Sequence, residues 1–82
     1  MEEVISVIEQ NEGKNVTVSY DTMVGTETKS GVLYFVKKGF DGSGICPFIQ
    51  LDQSLQKTIM VKNILSMEDQ SGDVLYTSQQ QR

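Results

Sequence analysis

Met60-Val61-Lys62-Asn63-Ile64-Leu65-Ser66 packs the end of one short strand, a polar corner and the start of another strand into seven residues. Apolar side chains flank the Lys-Asn pair on both sides, so each limb has a face to bury while the corner stays in water. Upstream, Val16, Val18 and Tyr20 alternate with Asn15, Thr17 and Ser19, the period-two pattern of a strand buried on one face. Gly31-Val32-Leu33-Tyr34-Phe35-Val36 is an apolar run without alternation, which predicts a strand covered on both faces, with Tyr34 and Phe35 in the core or a subunit interface. Gly31 at its start is predicted to mark a sharp bend or a bulge.

Val4, Ile5, Val7 and Ile8 repeat at helical spacing, with Glu2, Glu3 and Glu9 on the other face, so residues 2–11 are predicted to form an amphipathic helix. Gly13 then supplies a left-handed stop. Residues 21–30 are polar and contain Gly25, which predicts a longish hairpin loop whose second limb could already be extended. Residues 37–44 hold three glycines and form another loop. Residues 45–51 resume extended structure, with Ile45 and Ile49 as core candidates and Pro47 at an edge or bulge. A turn over residues 52–55 leads to a strand over 57–61, and residues 64–67 close the set. The polar tail, residues 69–82, is interrupted by Val74-Leu75-Tyr76, which could add a short strand or dock on a neighbouring subunit. The expectation is a single, mainly β domain: a short N-terminal α-helix followed by a five-stranded, strongly bent antiparallel barrel over residues 15–68.

At 82 residues, with 38% apolar residues and no Trp, the chain can fill only a modest core. Small barrels commonly gain stability by closing their edges or assembling with copies of themselves, so a homo-oligomer is expected. The net charge of −4 argues against a surface that neutralises phosphates everywhere. The charge is nevertheless uneven: residues 28–67 carry Lys29, Lys37, Lys38, Lys57 and Lys62 against two aspartates, whereas both flanks are acidic.

Histidine is absent and Cys46 is the only cysteine, which removes Ser-His-Asp and Cys-His catalysis, the common zinc sites and any intrachain disulfide. Cys46 is expected to be a small buried hydrophobe. The acids cluster on the helix and tail as solvated faces do, and the glycine-rich segment lacks the Gly-Lys-Ser/Thr ending of a phosphate loop. No enzymatic activity, cofactor or metal is expected. The Met-Glu-Glu opening carries no signal-peptide pattern and no stretch approaches membrane-span length, so a cytoplasmic location is expected.

The helix and five strands, with the glycine opening the Gly31–Val36 run and the cation-bearing corner at Lys62, resemble the Sm and Sm-like (LSm) family, over roughly residues 2–67. The corner is similar to the apolar-Tyr-Lys-His-Ala-Ile-Ser segment of the bacterial Sm-like RNA chaperones, with Val61 in place of Tyr and Asn63 in place of His. The family's Asp and base-reading pair after the first motif have no counterpart around residues 37–44. The resemblance implies a homo-oligomeric ring in which strand four of one subunit pairs with strand five of the next, through Thr58, Ile59, Met60 and Val61 on one side and Ile64, Leu65, Ser66 and Met67 on the other. It also implies binding of single-stranded RNA, or DNA, at Lys62 and Asn63. Lys37, Lys38 and Phe40 would assist by charge and by stacking, which is worth about 1–3 kcal/mol per base on an aromatic ring. The same strand pattern fits a non-enzymatic SH3-like module for protein interaction or assembly, for which the acidic helix and tail are the better clue.

Overall fold

The computed structural model describes residues 2–39, 44 and 46–78. The chain is mainly β with one short N-terminal helix: α1 (Glu2–Asn11), β1 (Asn15–Thr22), β2 (Gly25–Val36), β3 (Phe48–Leu51), β4 (Thr58–Met60), β5 (Ile64–Asp69) and β6 (Val74–Thr77). Among the described residues there are thus six strands, not five, and the sheet is open, with the order β4-β3-β2-β1-β5-β6 and every neighbouring pair antiparallel. The sixth strand is the Val74-Leu75-Tyr76 island, which pairs with β5 through Ser66↔Thr77, Met67↔Tyr76 and Glu68↔Val74.

β2 organises the sheet by changing partners along its length. Its first part pairs with β1 from Thr22↔Gly25 to Asn15↔Val32, and its second pairs with β3 from Leu33↔Leu51 to Val36↔Phe48. The change falls at Gly31 and Val32, where a Cβ on Gly31 would stand 2.7 Å from the Asp52 carboxylate and 2.9 Å from the Leu51 side chain. Glycine is therefore required by close approach. Asp52 ties the junction from the other side: its backbone N–H donates to the Val32 carbonyl at 2.9 Å, and its carboxylate accepts from the Val32 N–H at 2.9 Å. Lys57 completes the clamp, donating from Nζ to the Ser30 carbonyl and to Asp52 Oδ2, both at 3.0 Å.

Asp52 and Gln53 occupy the left-handed region at φ 59° and 52°. A non-glycine residue there costs roughly 1–2 kcal/mol, a cost that the bonds made by Asp52 offset.

Alternation along the strands builds the core. Val16, Val18 and Tyr20 from β1, Leu33 from β2, Ile49 and Leu51 from β3, Ile59 from β4, and Ile64 and Met67 from β5 are all buried. Among the described residues no polar or charged side chain is buried. A ten-residue helix is marginal by itself, and α1 is held by burying Val4 and Ile8 on one face of this core. Full burial of such side chains is worth about 1.5–3 kcal/mol each. The helix end is fixed by Gly13 at φ 88°, whose N–H donates to the Leu33 carbonyl at 2.8 Å, and by the Glu12 carboxylate, which accepts from the Phe35 N–H at 3.1 Å.

Several expectations are corrected. The loop expected over residues 21–30 is a β-ribbon extended on both limbs, the second as the sequence allowed, with only Met23 and Val24 at its turn. Thr22 closes that turn, its hydroxyl donating to the Gly25 carbonyl at 2.7 Å and accepting from the Val24 N–H at 3.2 Å. The ribbon projects beyond the core, so residues from Gly25 to Thr28 stay exposed and carry no hydrophobic alternation. Within the single chain the apolar run after Gly31 is covered on one face: Leu33 is buried and Phe35 half-buried, while Val32 and Tyr34 are exposed on the outer face. Lys57 belongs to a 3-10 turn over Leu55–Lys57 rather than to β4, and Val61 to a second one over Val61–Asn63. Cys46 is buried and Pro47 immediately precedes β3. Ile45 lies outside the described residues.

Two outcomes follow from the clamp. Gly31→Ala should lower the unfolding free energy by about 1–3 kcal/mol in a urea titration, because the new methyl group displaces Asp52 or Leu51. The Asp52 carboxyl is held below its ordinary pKa by the bond from the Val32 N–H and then by Lys57. A depressed native pKa gives stability that is present above the unfolded carboxyl pKa, roughly 3.9, and lost as pH falls through the native value. Wild-type protein should therefore show a steeper loss of thermal midpoint below about pH 4 than Asp52→Asn; parallel curves would show that the carboxylate carries no linked stability.

Candidate functional site

The polar corner that joins β4 to β5 forms the 3-10 turn Val61–Asn63. Val61 is its buried anchor, and its N–H donates to the Pro47 carbonyl at 3.1 Å, which fastens the turn to the start of β3. Lys62 is exposed and Asn63 half-buried.

β5 then meets β1 through a bulge: Ser19 pairs with Ser66 but Tyr20 pairs with Ile64, which leaves Leu65 as the extra residue. The Leu65 carbonyl accepts instead from the Ser78 N–H at 2.7 Å, which holds the end of β6 against the bulge.

Between these elements lies an open cleft of about 330 Å³. Val4, Val61, Ile64 and Leu65 give it an apolar floor, and Asp21, Lys62, Asn63, Tyr76 and Ser78 give it a polar rim. Four separate parts of the chain converge here: the helix, the end of β1, the corner and the last strand.

The structure brings together only part of the sequence-predicted set. Lys62 and Asn63 share the cleft. Lys37 and Lys38 follow β2 at the same end of the sheet, because Val36 pairs with Phe48 and Phe48 with Met60, but neither lines the cleft. Lys37 Nζ is paired with the Glu9 carboxylate of α1 at 2.9 Å, and that hydrogen bond and charge raise its pKa. Lys38 is exposed. Phe40 lies outside the described residues. Among the described residues the ion pairs are Lys37–Glu9 and Lys57–Asp52, and Lys62 is in neither.

The expected subunit contacts divide in the same way. Thr58, Ile59 and Met60 form β4, an edge of the sheet, whereas Val61 is buried in the turn. Ile64, Leu65, Ser66 and Met67 lie in β5, whose two neighbours are β1 and β6. The free edges of this sheet are therefore β4 and β6.

The sequence reading did not select Asp21 or Tyr76 for the site. Asp21 follows the last buried residue of β1 on the outward phase shared by Thr17 and Ser19, which reads as an ordinary solvated position, and Tyr76 carried a weak signal as part of the apolar island of the tail. No group of three or more His, Cys, Asp or Glu residues that could hold a metal ion occurs among the described residues, and none of their helices is long and apolar enough to cross a membrane. No protein-family model, curated protein or solved structure matches the chain.

Lys62→Ala should leave the unfolding free energy, read from a urea titration, within the scatter of surface substitutions, about 0.5 kcal/mol, since the side chain is exposed and outside both ion pairs. That makes it a clean probe of binding.

Proposed function

We propose that this chain is a non-enzymatic, Sm-like nucleic-acid-binding protein that engages single-stranded RNA, or DNA, at the corner formed by Lys62 and Asn63. The observation that carries the reading is the placement of that corner: an exposed ammonium group, outside the ion pairs of the described residues, stands beside an amide on the rim of a cleft. A lysine in that position attracts phosphate without first breaking an intramolecular pair. Lys38 adds charge at the same end of the sheet, and Lys37 adds it at the expense of its bond to Glu9.

The reading includes assembly of copies into a ring, which would repeat one weak site several times and raise the effective affinity. Because β6 occupies the outer side of β5, the contact that suits this sheet joins the β4 edge of one copy to the β6 edge of the next.

A second reading, a protein-interaction module, is favoured by the hairpin tip. Met23 and Val24 are 102% and 90% exposed, which places two apolar side chains wholly in water at the end of the ribbon.

Light-scattering mass measured with and without labelled single-stranded RNA and DNA, at low and high salt, tests both. The first reading expects a closed oligomer whose affinity falls as salt rises, and Lys62→Ala should weaken binding and flatten the salt slope by about 0.7 for each subunit engaged. Unchanged affinity in Lys62→Ala rejects the assigned site. A monomer indifferent to both nucleic acids moves the assignment to the second reading.

A further inference from the structure

We propose that the cleft beside Lys62 is a base pocket for guanine, with Asp21 as the residue that selects it. The proposal deepens the nucleic-acid reading and rests on it for the polymer to which the base belongs.

Size and lining come first. At about 330 Å³ the cleft lies at the lower end of the range for small-molecule sites, roughly 300–1,000 Å³, so it suits one ring system and not a length of folded polymer. Val4, Val61 and Ile64 are buried and reach its lining only at their edges, so the surface open to a ring is offered by the half-buried Leu65 and Tyr76. Faces of a planar heterocycle are served by such surfaces, and unstacked bases in single strands are commonly held this way.

The rim then decides which heterocycle. Asp21 is exposed and in neither ion pair of the described residues, and as a carboxylate it only accepts hydrogen bonds. Near a polyanion its charge is a liability, because it repels the phosphates that Lys62 attracts. A base with donors on its edge turns that liability into recognition.

Guanine presents two adjacent donors, N1–H and the 2-amino group, to the two oxygens of a carboxylate. Its O6 and N7 acceptors remain for cations and amides such as Lys62 and Asn63. Uracil offers one donor flanked by two carbonyl oxygens, which would face the carboxylate unfavourably. Adenine and cytosine each offer a single donor group beside a ring acceptor. Among the common bases, guanine alone matches both the acidic and the basic part of this rim.

The test measures binding of a short oligouridine carrying one central guanine, the same oligomer with inosine in that place, the all-uridine oligomer, and free guanosine and uridine 5′-monophosphates. Each is measured with wild type and with Asp21→Asn, whose unfolding midpoint is recorded alongside. The guanine oligomer should bind about tenfold more tightly than the all-uridine one. Inosine, which lacks the 2-amino group, should lose most of that preference. Asp21→Asn should abolish it while leaving all-uridine binding equal or slightly stronger. A wild-type protein without guanine preference, or an Asp21→Asn variant that keeps the preference, overturns the proposal. If guanosine monophosphate binds in an Asp21-dependent way while no oligomer binds, the guanine pocket stands and the single-strand reading fails. If all oligomers bind alike through Lys62, the pocket fails and the single-strand reading stands.

Discussion

The structure depends on one junction, where β2 leaves β1 and joins β3. A strand that passes between two partners leaves backbone groups at the crossing that neither ladder satisfies, and such groups are costly unless they find other partners. Here Asp52 takes the Val32 N–H and Lys57 takes the Ser30 carbonyl, so the two sides of Gly31 are satisfied by a single ion-paired couple. Both side chains are substantially exposed, and exposed ion pairs contribute little by charge alone. Their value lies in the backbone groups they cap. The missing side chain at Gly31 is the other half of the arrangement, since any Cβ there would occupy the space of the carboxylate.

That change of partner also positions the candidate site. β4 ends one arm of the sheet and β5 belongs to the other, so the residues joining them must cross between arms. They do so as the short turn over Val61–Asn63, and the cleft opens where this crossing meets β1, the helix and β6. Lys62 and Asn63 are thus presented at a seam between the two arms rather than on an independent loop. Burial of Val61 and its bond to Pro47 keep the seam closed beneath them.

The elements legible in the sequence are those whose side chains face the core. Val4 and Ile8 mark the helix, the Val16-Val18-Tyr20 alternation marks β1, and the Met60–Ser66 corner marks the passage from β4 to β5. The illegible parts have other physical origins. The part of β2 from Gly25 to Ser30 puts no apolar side chain in the core, so its strand character rests on the backbone ladder to β1, on hydroxyl pairs such as Thr17–Ser30 and Ser19–Thr28, and on the tight Thr22 turn. β6 follows a turn held by Asp69, whose carboxylate accepts from the Ser71 and Asp73 N–H groups, with Gly72 at φ 90°. The Ser71-Gly72 pair was the available turn signal. Among the site candidates, the corner was visible because it interrupts two apolar limbs. The engagement of Lys37 with Glu9 was not, because it depends on how the helix lies across the sheet.

β6 is also a cover. It is a four-residue strand at the end of the sheet, and the six-residue β5 lies directly behind it. Where β6 lifts away, the far side of β5 is uncovered and its peptide groups face solvent, which exchanges a short edge for a longer one able to template pairing with another chain. The Asp69 turn, by holding β6 in place, sets how seldom the sheet offers that edge.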